Sequence, residues 1–364
     1  MSVTEGHDES RFWRADAVEV LDASPDRVAP PCPFAGPGRC GGCDWQHASL
    51  EAQRRLKAQV VKEQLARLAH LDREVVVEEV PGAPQGLGWR TRVQYAVDSA
   101  GRAGLRAHRS HDVVAVDRCR IAHPLVVGAG VTEQPWPGTG SVEVVVGDGQ
   151  RLVLATPSGD HRHRRVVEAP DPDDPHVVER AGGRTFRVSG SGFWQVHPGA
   201  ADALLDAVLA GLEPREGESA LDLYCGVGLF AAALAERVGP TGRVTAVEGD
   251  RGAVEDARRN LADLPGVRIE RGRVDHVLRR LRLRRADLVV LDPPRSGAGR
   301  AVVAMLGRVQ ARRIAYVACD PAALARDLAW FAEGGYRLRG LRAFDLFPMT
   351  HHVECVAVLE PVTG

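Results

Sequence analysis

The chain has almost no net charge. Its 47 lysine and arginine residues face 48 aspartate and glutamate residues, a formal balance of −1 over 364 residues. A protein that attracts a polyanion over its whole surface carries a basic excess, so global charge argues against nucleic acid and leaves local clusters to argue for it. No apolar run approaches the ~18 residues that cross a bilayer. Met1–Ser10 is polar and acidic, without the apolar core of a secretory leader. Together these absences predict a cytoplasmic protein with no membrane partner, in a compartment where structural disulfides are rare. No internal repeat is present either, so no solenoid is expected. Apolar residues at 44% and charged residues at 26% are ordinary for a globular chain, and the length suits two or three domains.

What is present is concentrated. The seven cysteines, at 32, 40, 43, 119, 225, 319 and 355, read as ligands, a nucleophile or core residues rather than bridges. Positive charge gathers at Arg90 and Arg92, in five arginines between Arg102 and Arg120, and in the arginine-rich run 279–285. Any one of these, alone, reads as a solvated face.

Residues 11–21 alternate toward a short strand. Residues 49–69 are helical in pattern, with Ser49 as cap and Leu56, Val60, Val61, Leu65 and Leu68 on one face. From about 75 to 188 the pattern is β-like, at Val75–Val77, Arg92–Val97, Ser141–Val146 and Arg151–Leu154, with a charged, proline-containing loop over 161–175. After about 198 the rhythm changes. Helices near 199–212, 228–238, 250–263, 299–309 and 321–333 alternate with strands at 220–224, 243–247, 287–291 and 313–318, and two further strands close the chain near 336–344 and 352–359. Such alternation predicts a doubly wound α/β domain, Rossmann-like, with a mainly parallel sheet. Ligands of such sheets bind at the carboxyl ends of the strands.

Three strand ends carry chemistry. Asp222-Leu-Tyr-Cys-Gly-Val-Gly228 leaves an apolar strand and opens a helix, and Gly226 and Gly228 permit a tight turn close to a ligand. A third glycine, as in a dinucleotide fingerprint, is missing. Asp222 could take an ammonium group, and Glu248, ending the next strand, could accept the two hydroxyls of a ribose. This set suits S-adenosylmethionine better than a phosphate-bearing cofactor. Asp292-Pro-Pro-Arg295 ends the third strand, its prolines stiffening the turn behind a carboxylate.

Cys319-Asp-Pro321 leaves a further strand and enters a helix. Asp320 is a natural cap and Pro321 a natural first helical residue, so the dipole is expected to lower the Cys319 thiol pKa. A thiolate that attacks a ring carbon needs a base that afterwards removes a proton so that the sulfur can leave. Glu354, in an otherwise apolar strand where its pKa should be raised, is the candidate base. An inert buried cysteine and a solvent-facing glutamate are the plain alternatives.

With these pieces assembled, the chain resembles the class I RNA uracil-5-methyltransferases, which act on transfer RNA or 23S ribosomal RNA. The matching segments are Cys40-Gly-Gly-Cys-Asp-Trp-Gln-His47, Phe193-Trp-Gln-Val-His197, Asp222–Gly228, Asp292–Arg295, Cys319–Pro321 and Phe347-Pro-Met-Thr-His-His-Val-Glu354, spread over roughly 15–360. The resemblance implies that Cys319 is the nucleophile and Glu354 the base. It implies that Gln195, Tyr224, Glu248 and Asp292 line the cofactor and uracil site, and that Trp89-Arg-Thr-Arg92 meets RNA through Arg90 and Arg92. Leu229 stands where relatives often have an asparagine, which removes a side-chain hydrogen bond, and His197 also replaces an asparagine. The spacing of Cys32, Cys40, Cys43 and Cys119 suits either zinc or an iron–sulfur cluster. Family members carrying [4Fe–4S] on this pattern favour the cluster.

The resemblance also implies three parts: residues 1–30 as a remnant of the RNA-binding TRAM barrel with which relatives begin, 31–188 as a cysteine-cluster and β-rich RNA-binding domain, and 189–364 as the methyltransferase domain. It implies a monomer acting on RNA. The competing readings are an RNA-binding protein of the same fold without activity, an amino-group methyltransferase, and a cytosine-5 methyltransferase. Cys319, Glu354 and Asp292 argue against the first. Arg295 after the prolines, where an aromatic would stand, argues against the second. The absence of cysteine from 292–297 argues against the third.

Overall fold

The computed structural model of the chain describes residues 2–5, 13–17, 19–160, 163–282 and 285–362. Near the start, β1 (Ser2–Glu5) and β2 (Arg14–Asp16) form an antiparallel ribbon. The strand expected over 11–21 is confined, among the described residues, to Arg14–Asp16; residues 11, 12 and 18 lie outside them.

Helix α1 (Leu50–Gln64) runs into a single π turn at Leu65–Ala69. Ser49 caps it as expected, its hydroxyl accepting from the Ala52 amide at 3.2 Å. Its inward face differs from the one the apolar spacing predicts. Leu56, Val60 and Leu68 are exposed, whereas Ala52, Gln53, Lys57, Val61 and Leu65 are buried. The two polar residues can turn inward because each finds partners far along the chain. Lys57 Nζ donates to Asp345 Oδ1 at 2.5 Å and to the Phe347 carbonyl at 3.0 Å. The Gln53 amide nitrogen donates to the Trp45 and Ala48 carbonyls at 3.1 and 2.9 Å, and its oxygen accepts from the Met349 amide at 2.7 Å. Paired and hydrogen-bonded in this way, a buried charge is tolerated.

Next come β3 (Val77–Glu79), β4 (Arg92–Val97), β5 (Ala103–Arg106), β6 (Val113–Val114), the short helix α2 (Pro124–Val127), β7 (Thr139–Gly147), β8 (Gln150–Pro157) and β9 (Arg165–Glu168). Six of these strands form an antiparallel sheet in the order β6-β5-β4-β7-β8-β9. β9 falls inside the stretch expected to be a loop; pairing with β8 supplies the order that its charged sequence does not advertise. A separate hairpin, β10 (His176–Ala181) and β11 (Arg184–Ser189), leads into the last part of the chain.

That part is α3 (Ala200–Leu212), β12 (Ser219–Leu223), α4 (Leu229–Val238), β13 (Arg243–Glu248), α5 (Arg251–Asn260), β14 (Val267–Arg271), α6 (Val274–Leu281), β15 (Leu288–Leu291), α7 (Arg300–Leu306), β16 (Arg313–Ala318), α8 (Pro321–Glu333), β17 (Tyr336–Asp345) and β18 (Glu354–Pro361). The sheet order is β14-β13-β12-β15-β16-β18-β17-β3. β14 through β16 are parallel, and β18 enters antiparallel beside β16. This is the expected doubly wound α/β fold. β14 and α6 are additions to the sequence reading: β14 reads Val-Arg-Ile-Glu-Arg, an edge strand too charged to stand out. β3, grouped by sequence with the central strands, instead extends the catalytic sheet beside β17.

Lys57→Ala leaves the Asp345 carboxylate buried without its cation. Loss of one partner of a buried pair costs roughly 3–5 kcal/mol. The variant should unfold at markedly lower denaturant concentration than wild type, and an unchanged midpoint would show the pair to be dispensable.

Candidate active site

A cleft of about 1260 Å³ opens along the carboxyl edge of the parallel strands. Each strand delivers residues at its end to it: Tyr224 and Gly226 after β12, Glu248 closing β13 with Gly249 and Asp250 behind it, Gly272 to Asp275 after β14, Asp292 to Ala298 after β15 and Cys319 after β16. The opposite wall is brought by Trp89, Arg90, the loop of Ser191–Val196, and the turn before β18 with Phe347, Thr350, His351 and His352.

Cys319 and Glu354 meet through strand register. β16 and β18 pair Ala318 with Cys355 antiparallel, so the next step brings Cys319 opposite Glu354. Cys319 is half-buried and Glu354 is buried at 3% exposure. The helix-dipole expectation for Cys319 is not met. Burial pushes its thiol up to about 11, with the charges of Glu354 and Asp292 adding to the rise and Arg295 opposing it. Asp320 caps α8 as expected, accepting from the Ala323 amide at 2.7 Å, but desolvation and two carboxyls outweigh the dipole. Glu354 is raised well above the usual carboxylate range by burial, then by Asp292, with Arg295 drawing it down. Burial raises Asp292 too. A buried carboxyl and a half-buried one that repel each other cannot both ionise cheaply.

On the cofactor side, Glu248 is held by backbone. One carboxylate oxygen accepts from the Gly226 amide at 3.0 Å and the other from the Asp250 amide at 2.7 Å. Tyr224 is left-handed at φ 63°, a conformation that a non-glycine residue adopts only under constraint. Gln195 lines the cleft and is nearly buried. Asp222 does not line it. It is fully buried beneath the turn, neither carboxylate oxygen makes a full hydrogen bond, and burial pushes it up to about 8 despite some relief from the Ala231 amide. Gly228 also lies behind the wall, where it precedes α4 at φ 99° and a Cβ would stand 2.8 Å from Leu261. Leu229 is core. His197 is buried against Trp89, ring centroids 6.0 Å apart, with its pKa pushed down to about 4 by burial.

Of the two expected RNA-contacting arginines, Arg90 lines the cleft. Arg92 is turned inward, its side chain 9% exposed, and donates to the Gly192 carbonyl at 2.5 Å. Arg273 and Asp275 line the cleft without a sequence signal of their own, and Asp44, inside the Cys40–His47 segment, lines it too. Asp44 sits 2.6 Å from His351 Nδ1.

Beside this cleft, and sharing Gly41, Gly42, Arg90 and His108 with it, lies a pocket of about 580 Å³ lined by Cys32, Cys40, Cys43 and Cys119. Gly41 lets the Cys-Gly-Gly-Cys turn lie against the 106–108 backbone, for a Cβ there would stand 2.5 Å from His108 Cα. Burial pushes the Cys43 thiol up to about 12, with a hydrogen bond to Gln46 opposing and the other three thiols adding. The four cysteines thus converge, but among the described residues no three or more His, Cys, Asp or Glu side chains are grouped so as to hold a metal ion.

Fold and cleft define an α/β methyltransferase. The profile of the tRNA (Uracil-5-)-methyltransferase family matches residues 180–362. An uncharacterized RNA methyltransferase of Streptomyces coelicolor is 56% identical, covering 99% of this chain and 84% of that protein. The 23S rRNA (uracil(1939)-C(5))-methyltransferase RlmD of Halomonas elongata is 33% identical over 96% of this chain and 80% of its own length. Among solved structures, the Pyrococcus abyssi tRNA (uracil-54, C5)-methyltransferase in complex with S-adenosyl-L-homocysteine superposes with a TM-score of 0.70 at 25% identity, covering 94% of this chain and 87% of that one. The chain belongs to the tRNA (uracil-5-)-methyltransferase family and is an S-adenosylmethionine-dependent RNA methyltransferase.

Because the Cys319 thiol is held up near 11, it stays protonated at neutral pH. Its alkylation by iodoacetamide, followed by peptide mass spectrometry, should be slow at neutral pH and climb steadily as pH rises toward that value. A rate already at its plateau near neutral pH would show a thiolate and contradict this electrostatic picture.

Proposed function

We propose that this cleft methylates carbon 5 of a specific uridine in RNA, with 23S ribosomal RNA placed ahead of transfer RNA, through a covalent link between Cys319 and carbon 6 of the uracil. The observation that carries the reading is the opposition of Cys319 and Glu354 at the ends of β16 and β18, beside Asp292 and Arg295. Support for ribosomal RNA comes from the relative acting on 23S rRNA, whose match spans nearly the whole chain.

In this mechanism the Cys319 thiol loses its proton to solvent water, and the thiolate adds to carbon 6, which makes carbon 5 electron-rich. Arg295 is the positive side chain that favours the thiolate. When bound, S-adenosylmethionine would supply an electrophilic methyl group to carbon 5, its sulfur–methyl bond breaking to leave the neutral thioether S-adenosylhomocysteine. Glu354 then accepts the carbon-5 proton, the carbon 5–carbon 6 double bond re-forms, and the carbon–sulfur bond breaks to return the thiolate. A carboxylate whose pKa is raised by burial is a strong proton acceptor once ionised. Glu248, fixed by two amides, has lone pairs left for the ribose hydroxyls. Tyr224, Gln195, Gly226 and Asp292 line the space for the methyl donor and uracil, while Asp222 and Gly228 shape the turn from behind.

Residues 189–364 serve as the catalytic part in this reading, and 31–188 as the part that holds RNA, with Arg90 shared between cleft and cysteine pocket. The four thiols are read as a four-thiolate site closing around [4Fe–4S] rather than zinc. Their convergence on one pocket supports this, and binding would have to draw them together.

Cys319→Ala should abolish both methyl transfer and any covalent protein–RNA species. Glu354→Gln should accumulate a methylated adduct that survives a denaturing gel, because addition proceeds and elimination does not. Normal turnover by Glu354→Gln, or an adduct formed by Cys319→Ala, would overturn the role assignment. Ribosomal and transfer RNA from a deletion strain, digested and analysed by mass spectrometry, would show which one loses 5-methyluridine.

For the cysteine pocket, protein prepared without oxygen should be brown and carry about four irons. Stoichiometric zinc in colourless protein, or no metal at all, would remove the cluster from the description.

A further inference from the structure

The loop of Gly192–Val196 alternates its side chains between cleft and core. Phe193 is 65% exposed and lines the cleft, Trp194 is buried against Phe186 with ring centroids 5.2 Å apart, and Gln195 returns to the cleft. Its backbone is seized at both ends from one short segment. Arg92 donates from its guanidinium to the Gly192 carbonyl at 2.5 Å, and Thr91 donates from its amide and its hydroxyl to the Val196 carbonyl at 2.9 and 3.0 Å. We propose that Arg92 and Thr91 are positioning residues of the methyl-transfer site, clamping the two ends of this loop so that Phe193 and Gln195 are held at fixed places in the cleft. The functional consequence rests on the reading that this cleft holds the uracil and the methyl donor.

The surroundings of Arg92 favour this role over two simpler ones. An RNA contact needs an accessible guanidinium, and this one is 9% exposed. Charge balance needs a close acid. The only acidic side chain paired with Arg92 among the described residues is Glu179, 3.9 Å away and beyond hydrogen-bonding range. Burial raises Glu179 to about 8, so near neutral pH it is largely protonated and asks for no cation. Arg92 Nε and one terminal nitrogen are buried without hydrogen-bond partners, so the bond to Gly192 is its principal polar engagement. The far side of the loop is seated as well. The Gly192 amide donates to the Ser189 carbonyl at 2.8 Å, and the Ser189 amide donates to Asp256 of α5 at 2.8 Å. A Cβ on Gly192 would lie 3.0 Å from Ser189 Oγ, so the backbone sits close against its support.

A double-variant series in the full chain separates the possibilities. Arg92→Met removes the clamp and should lower kcat for methylation of unmodified 23S rRNA transcript by roughly tenfold or more, since small misplacements in a site cost this much. KM for S-adenosylmethionine should rise by less than kcat falls, because Gln195 is one of several residues lining that space. Arg92→Lys should recover part of the loss, and Thr91→Ser should outperform Thr91→Val. Glu179→Gln alone should be close to wild type, and Arg92→Met with Glu179→Gln should remain as slow as Arg92→Met. Hydrogen exchange should speed up at 192–197 in Arg92→Met and not elsewhere. Recovery of activity in the double variant would show that Arg92 only balances Glu179. Wild-type kcat in Arg92→Met, or unchanged exchange at 192–197, would overturn the clamp. A wild-type protein that methylates no RNA would instead defeat the proposed function, and the exchange measurement would still judge the clamp.

Discussion

The antiparallel register between β16 and β18 is the constraint on which the site depends. Pairing Ala318 with Cys355 places the residue after Ala318 opposite the residue before Cys355, so a thiol and a carboxyl separated by 35 positions face each other. A parallel β18, or a shift of one residue, would send Glu354 to the other face or the other end. The register is in turn secured by the hydrophobic sheet interior, where Ile314 to Val317 and Cys355 to Ala357 are almost fully buried. The turn between β17 and β18 is then stitched to α1 by Lys57 and Gln53.

Electrostatically the cleft is built against itself. Asp222 and Glu354 are buried close to the half-buried Asp292, and each is raised both by burial and by the Asp292 charge. Such an arrangement costs stability in the free protein and is sustained only because rigid strand ends over-determine it. It is also well matched to a cationic methyl donor, whose sulfonium and ammonium charges would relieve the repulsion. Loss of net charge on product formation would then weaken the grip, a reasonable property for a site that must release its spent cofactor.

The strand-end motifs were legible because each is a local object. An apolar strand followed by a glycine turn, a proline-stiffened carboxylate or an Asp-Pro helix start can be read within about ten residues. The alternation of helix and strand after residue 198 likewise reports the parallel sheet. What failed was non-local. The buried face of α1 contains Gln53 and Lys57 because their partners lie 296 and 288 positions away, and no periodicity contains that information. Arg92 looked like an exposed basic residue for the same reason: the Gly192 carbonyl that draws it inward is 100 positions downstream. β14 and β9 were hidden by charge on edge strands that need a neighbour more than an apolar face.

The sequence by itself determined the class of fold, the order of the catalytic segments and the chemical identity of the groups at each strand end, since these follow from hydrophobic period and turn chemistry over short spans. Tertiary structure alone decided the ionisation of those groups and their company. The Cys319 thiol is raised rather than lowered, because desolvation and the Glu354 and Asp292 carboxyls, brought in by sheet order, outweigh the dipole of the helix that the sequence displays.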